Sequence, residues 1–448
     1  MSQSVGASGW GSRLGFILAS AGSAVGLGAI WKFPYMAGTN GGSVFMLPYI
    51  LFTFTVGVAL LIAEFAMGRA GRRGPVGSLN DVCGKPWGIF GGIGVLTVFL
   101  ILSFYSCVGG WCLKYTIDAI TGVGIIKDPA LLGDHFGGFV SDGAVAYGYL
   151  LAFLLLTTVV VLRGIEAGIE KLSKILMPSL FILMIILIIR GVTLPGGWEG
   201  VKYLFLPRWE DFNGAALFNA MGFCFFSLSL GAGILVTYGS YLSDKTCIPS
   251  SSMWVAVLAI QAALLAGLMV MPAVFAFGLE PNAGPGLVFI TVPMIFSSIP
   301  FGDVFAALFY ICLFVAALTS SVSMLEACTA LLTQTFMVKR NTAIVVTTVL
   351  AALVGLAATL SFGAWSDVLF FGKNVFDLLD YVTSNVGMPL STFGIAIAAA
   401  WVAWKTTAKE LQSARTLSPA TLTTVRILIG IVSPLFVLVV AAGGLGLF

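Results

Sequence analysis

A chain of 448 residues that is 59% hydrophobic and only 9% charged is too apolar for a soluble globular protein, where roughly a quarter of residues carry charge. Its mean hydropathy of +1.04 places it in a lipid bilayer. A net charge of +3 gives no handle on nucleic acid, His135 is the single histidine, and the seven cysteines show no Cys-x-x-Cys spacing, so zinc, His-relay and thiol chemistry are set aside and the cysteines read as buried small hydrophobes.

Runs long enough to cross roughly 30 Å of hydrocarbon fall at about 13–36, 43–68, 88–121, 144–162, 168–190, 213–242, 251–279, 301–337, 342–362, 375–404 and 424–447. This predicts eleven spans and no soluble domain. The polar stretch Met1 to Gly9 leads straight into the first span and does not read as a cleavable signal. Most Lys and Arg residues, including Arg13, Arg69, Arg72, Arg73, Lys171, Lys174, Lys339 and Arg340, then share one side, which predicts a cytoplasmic amino terminus and an extracytoplasmic carboxyl terminus in the cell (inner) membrane. Lys32, Lys114, Lys127, Arg190, Lys202, Arg208 and Lys373 fall on the other side.

Two spans are broken at their middle, the first at Ala24-Val25-Gly26-Leu27-Gly28-Ala29 and the sixth at Ser229-Leu230-Gly231-Ala232-Gly233-Ile234. Unwound backbone inside a bilayer is tolerated only where protein or a wet cavity surrounds it, and broken spans in corresponding halves point to a transporter's central site. Spans 1–5 and 6–10 can be laid over each other with these breaks in register, and an odd number of spans gives the halves opposite orientation. The expected organisation is a five-plus-five inverted repeat over residues 1–190 and 191–412, with span 11 (413–448) appended. Glu280 to Pro300 is expected to be an external loop packed back onto the protein.

The run from Trp10 through Gly26-Leu27-Gly28 to Trp31-Lys32-Phe33-Pro34-Tyr35, with Asn40-Gly41-Gly42 and Glu64-Phe65-Ala66-Met67-Gly68-Arg69, resembles the neurotransmitter:sodium symporter family and its LeuT-type bacterial members. Ser227-Leu228-Ser229-Leu230-Gly231, Thr237-Tyr238-Gly239-Ser240-Tyr241, Leu318-Thr319-Ser320-Ser321 and Phe376-Asp377-Leu378-Leu379-Asp380 carry the resemblance over essentially the whole chain. It implies an all-α membrane protein of the LeuT-type fold, with helices 1 and 6 unwound at mid-membrane.

The resemblance also implies a Na+ site between helices 1 and 8, made by the carbonyls of Gly22, Val25 and Ala316 and the hydroxyls of Thr319 and Ser320. Hard cations want several oxygens at short range. The residues alone leave open that Thr319 and Ser320 merely bond back to their own helix. The family's second cation site departs from its pattern: an asparagine position reads Ala29, and a helix 7 position reads Ala259, so one coupling ion is expected. Helix 7 also has Ala263 where relatives place a carboxylate or a hydroxyl, which removes the usual marker for chloride.

For substrate, the resemblance implies that the Gly28 amide and Tyr105 hydroxyl hold a carboxylate, and that the Ala24, Phe226 and Ser227 carbonyls with the Ser229 hydroxyl hold an ammonium. Ser23, Ile101, Phe226, Ala232, Ser320 and Met324 would line the side-chain pocket. Ala232 stands where a leucine-binding relative has a large aromatic residue; it either leaves room for a larger substrate or simply permits close helix packing.

Lys32 and Asp380 match the outer gate pair, with lysine for the usual arginine and snorkelling to the headgroups as the plainer role. Tyr105 and Phe226 would form the aromatic lid beneath them. At the inner gate, Ala7 and Gln334 replace the family's ion pair, which leaves Trp10 as a plug near Ser240 and Tyr241 and predicts easy inward opening. Gly168 and Pro178 in helix 5 carry a spacing associated in bacterial relatives with local unwinding, and an ordinary proline kink is the other reading. Glu64 and Glu326 are expected to cap the unwound backbone, with proton carriage as the alternative.

The expected function is sodium-coupled import of a hydrophobic or aromatic amino acid by alternating access. A sodium-independent or proton-coupled carrier of an amine is the alternative. No Ser/His or Cys/His pair, metal cluster or phosphate loop supports an enzyme.

Overall fold

The computed structural model describes residues 9–122, 131–279 and 287–447. Ala7, Lys127 and residues 280–286, on which the sequence raises expectations, lie outside the described residues.

The chain is helical almost throughout. Helix α1, Arg13–Ala24, opens at Ser12, whose hydroxyl accepts the Gly15 amide, and stops at Val25, where ψ turns to 60°. Helix α2, Gly28–Thr39, resumes after a bend of 51°. Then come α3 (Ser43–Gly71), α4 (Pro75–Cys83), α5 (Lys85–Thr121), α6 (Leu132–Ser141), α7 (Gly143–Leu162), α8 (Ile165–Val192) and α9 (Gly197–Phe205). The second half runs α10 (Gly214–Ser227), α11 (Ile234–Ser240), α12 (Ile248–Ala276), α13 (Val288–Ser297), α14 (Gly302–Gln334), α15 (Arg340–Leu360), α16 (Val375–Val402), α17 (Trp404–Gln412) and α18 (Pro419–Gly444).

Among the described residues, nine helices are long and apolar enough to cross a membrane, and the bent α1–α2 pair makes a tenth. The sixth predicted span is divided between α10 and α11, each too short to cross a bilayer alone. Its break is set by backbone chirality: Ser229, Gly231 and Gly233 all have positive φ. Glycine suits two of these three left-handed positions. At Gly231 a side chain is also sterically excluded, since a Cβ there would lie 2.2 Å from the Met388 carbonyl oxygen.

The structure decides between two readings of helix 5 and corrects one expectation. Helix α8 begins at Ile165 and stays helical past Pro178 to Val192, so Gly168 sits in a π-helical first turn, Ile165–Glu170, rather than in an unwound segment. The 280–300 segment is also not all loop. It carries α13, whose Phe289 stacks on Phe136 of α6 at 5.3 Å, and the Tyr310 hydroxyl donates to the Val288 carbonyl at 3.2 Å.

The core lies along α14, where every residue from Val315 to Ala330 is buried. Helices α1, α5, α7, α8 and α15 pack around it. Lipid tails provide no hydrophobic drive for helices to associate, so close packing and interhelical hydrogen bonds must hold such a centre. The small and hydroxylated run Ala316-Ala317-Leu318-Thr319-Ser320-Ser321 supplies both.

Candidate functional site: the paired helix breaks

The two breaks face each other, and side chains from three neighbouring helices and from the second break itself satisfy the backbone groups they release. Ser320 of α14 donates to the carbonyls of Gly22 (3.1 Å) and Ser23 (3.3 Å). Ser229, at the second break, donates to Ser23 O at 3.0 Å. The Leu27 amide donates to the Tyr105 hydroxyl oxygen at 3.2 Å. The Gly231 amide donates to Glu64 Oε1 at 2.8 Å, while Glu64 Oε2 is buried with no hydrogen-bond partner among the described residues. Unpaired amides and carbonyls would each cost several kcal/mol at this depth, so these side chains are what make the breaks affordable.

Between the breaks lies a small cavity enclosing about 50 Å³, lined by Ser23, Ala24, Gly26, Gly28, Val98, Ile101, Tyr105, Phe226, Ser229, Ala232, Ile234, Ser320, Met324 and Met388. The substrate residues read from the sequence thus come together, with one exception. Ser227 is buried and its hydroxyl bonds back to the Cys224 carbonyl at 3.2 Å, so its side chain caps α10 and does not reach the cavity. Gly26, Val98, Ile234 and Met388 are wall residues that sequence reading missed. Gly26 was legible, since it lies inside the first break, where a Cβ would come within 2.3 Å of Ser320 Oγ. Val98, Ile234 and Met388 are ordinary apolar residues with no local signal.

Of the oxygens expected around a cation, the Ser320 hydroxyl and the Gly22 carbonyl meet at the contact of α1 with α14. Thr319 Oγ1 donates to the Ala316 carbonyl at 3.0 Å, which is the back-bonding alternative, whereas Ser320 reaches across to Gly22. Val25 is fully buried at the end of α1. These donors are neutral oxygens, a chemistry that fits a hard monovalent cation. Ala29 and Ala259, each 1% exposed, contribute only methyl groups.

The gates differ from expectation. Lys32 Nζ sits 4.1 Å from the centroid of the Phe226 ring, and no ion pair joins it to Asp380, whose Oδ1 accepts from Ser384 Oγ at 3.1 Å. Lysine lacks the bidentate fork that would hold a distant carboxylate, and the aromatic face offers it an alternative. At the opposite end, Trp10 packs edge-on against Tyr238 at 5.0 Å and donates to the Tyr238 carbonyl at 3.1 Å. Tyr241 instead donates to Glu326 at 2.8 Å. Glu326 therefore does not cap a break: it is held by Arg340 at 2.6 Å and by Tyr241. Gln334 does not leave a gap either, since its side chain accepts from the Gly74 amide and its carbonyl from Arg73.

Comparison with known proteins gives this geometry its context. The family model described as the sodium:neurotransmitter symporter family matches residues 7–124 and 137–445. The chain is 42% identical over 389 residues to the uncharacterized sodium-dependent transporter YhdH of Bacillus subtilis, covering 87% of this chain and 86% of that one. It is 35% identical to an uncharacterized sodium-dependent transporter of Haemophilus influenzae, covering 91% and 92%. Among solved structures, the crystal structure of MhsT in complex with L-phenylalanine aligns with a TM-score of 0.89 at 40% identity, over 97% of this chain and 99% of that one. Relatives, fold and multi-pass helices alike are those of membrane transporters and not of enzymes. The chain belongs to the sodium:neurotransmitter symporter family.

Proposed function

We propose that the protein is a sodium-coupled symporter that imports hydrophobic or aromatic amino acids across the cell membrane, with eleven spans in two inverted halves and a cytoplasmic amino terminus. One Na+ binds among the carbonyls of Gly22, Val25 and Ala316 and the hydroxyls of Thr319 and Ser320. The observation that carries the reading is the Ser320 hydroxyl, which already ties α14 to the Gly22 carbonyl at the first break. A cation in that place exchanges this hydrogen bond for shared oxygen ligands. Its occupancy is thereby coupled to whether α1 stays against α14.

The substrate is a zwitterion. Tyr105 accepts from the Leu27 amide and keeps its own proton to donate to a carboxylate beside the Gly28 amide. Ser229 donates to Ser23 and keeps lone pairs for an ammonium, alongside the carbonyls of Ala24 and Phe226, which line the cavity while Ser227 does not. Met324 and Met388 are unbranched, adaptable walls, and Ala232 leaves space on the facing side, so the small cavity can widen around a larger side chain. The phenylalanine bound by MhsT supports this substrate class.

The test is uptake of labelled phenylalanine, leucine and tryptophan into vesicles holding the purified protein, in sodium against potassium media. Accumulation is expected only with inward-directed sodium, and equal uptake in both media overturns the reading. The Oε2 of Glu64, without a partner among the described residues, favours a second reading, a sodium-independent carrier of an amine or other small solute coupled to protons. Uptake driven by an imposed proton gradient in sodium-free medium selects it.

A further inference from the structure

We propose that Glu170 is the latch that closes the Trp10 end of this transporter, in place of the ion pair that the chain does not carry there. The inference rests on the alternating-access reading above.

Glu170 lies in the first turn of α8, with its side chain 2% exposed. Oε2 accepts from the Gly11 amide at 2.7 Å, and Oε1 accepts from the Ser12 hydroxyl at 2.8 Å. Lys174, one turn along α8, lies 2.6 Å from Oε1. Ser12 is itself the cap of α1, accepting the Gly15 amide at 3.0 Å. One carboxylate thus grips both the Gly11 amide and the residue that caps α1. Hydrogen bonds to a charged acceptor are about twice as strong as neutral ones.

The packing is built for this contact. A Cβ on Gly15 would lie 2.2 Å from the Glu170 carboxyl carbon, so α1 approaches the carboxylate as closely as only glycine permits. A Cβ on Gly11 would likewise meet Glu166 at 2.8 Å. The latch sits at the end of the π-helical turn Ile165–Glu170, a departure from α-helical hydrogen bonding of the kind often found at functional sites. Opening this end moves α1 away from α8, which must break the Gly11 and Ser12 bonds together. Glu170 is therefore a positioning residue that sets the balance between closed and open forms.

The experiment is hydrogen–deuterium exchange on purified full-length protein in sodium and in potassium, comparing wild type with Glu170→Gln, Ser12→Ala and Gly15→Ala. In sodium, wild-type amides of residues 11–20 are expected to be protected relative to potassium. Glu170→Gln and Gly15→Ala are expected to speed exchange there by about ten-fold or more, with a smaller increase for Ser12→Ala, while α5 and α14 keep wild-type protection. If Glu170→Gln loses protection throughout, Ser12→Ala decides by the same reading. Exchange at 11–20 that is unchanged in Ser12→Ala and Gly15→Ala overturns the latch. A wild type with no sodium effect anywhere instead removes the cation reading on which the proposal rests.

Discussion

At the Trp10 end of the bundle, carboxylates do the closing: Glu170 grips Gly11, Ser12 and Lys174, Glu326 holds Arg340 and Tyr241, and Glu410 pairs with the fully buried Arg69 at 2.6 Å. At the Lys32 end, rings do it: Lys32 lies over Phe226, Phe362 packs edge to face against Trp111 and Phe376 with centroids 5.2 and 5.1 Å apart, Trp111 stacks on Phe376 at 6.2 Å, and Phe289 of α13 stacks on Phe136. Directional bonds to buried charge are either made or broken, whereas ring contacts can slide and still bury the same area. The comparison teaches that one end is closed by a switch and the other by a compliant plug.

The sharpest way to break this contrast is at Glu326, which has no exposed side-chain surface. Glu326→Ala leaves the buried Tyr241 hydroxyl without its acceptor, while Arg340, 32% exposed, can turn to water and the Val161 carbonyl, so the cost should be about 1–3 kcal/mol, the usual penalty for a buried polar group left unsatisfied. Thermal denaturation of the purified protein checks this, and a loss below about 1 kcal/mol would show that water reaches this end freely. Next comes Ser320→Ala, which removes the hydroxyl between α14 and Gly22. Sodium-stimulated phenylalanine binding should weaken by about ten-fold or more, close to 1.4 kcal/mol, with little change in melting temperature without sodium. Equal melting and binding losses would make Ser320 structural.

Much of this architecture was legible, because a bilayer forces a simple rule: long apolar runs become helices, and glycine pairs inside them mark irregular backbone. The glycine breaks marked where the cavity lies, and the family resemblance implied most of its wall. What stayed hidden has physical causes. Glu170 looks like any charge in an amphipathic first turn until the fold brings Gly11 to it, 159 residues away. Met388 reaches the cavity only through the approach of α16 to Gly231, which no local pattern encodes. Glu326 looked like a cap for unwound backbone, but Arg340, beyond the turn that follows its helix, claims it.

The smallest expected effects are at the Lys32 end, where they separate a ring contact from an ion pair. Lys32→Gln removes the cation over Phe226, which is worth about 0.5–1 kcal/mol, or roughly two- to five-fold in phenylalanine affinity. Asp380→Asn should change affinity by less than about two-fold, at the scale of an exposed polar exchange, because an asparagine oxygen can still accept from Ser384 and no bond to Lys32 is lost. Binding measured in low and high salt discriminates between the two contacts. A ring contact this close is little screened, whereas a longer Lys32–Asp380 attraction across water fades as the Debye length falls from about 10 Å at 0.1 M to about 3 Å at 1 M. Equal losses for both variants, shrinking together with salt, would mean that the two residues attract each other during the cycle. The Lys32 end would then close by charge as well, and the contrast between the two ends would reduce to one of distance.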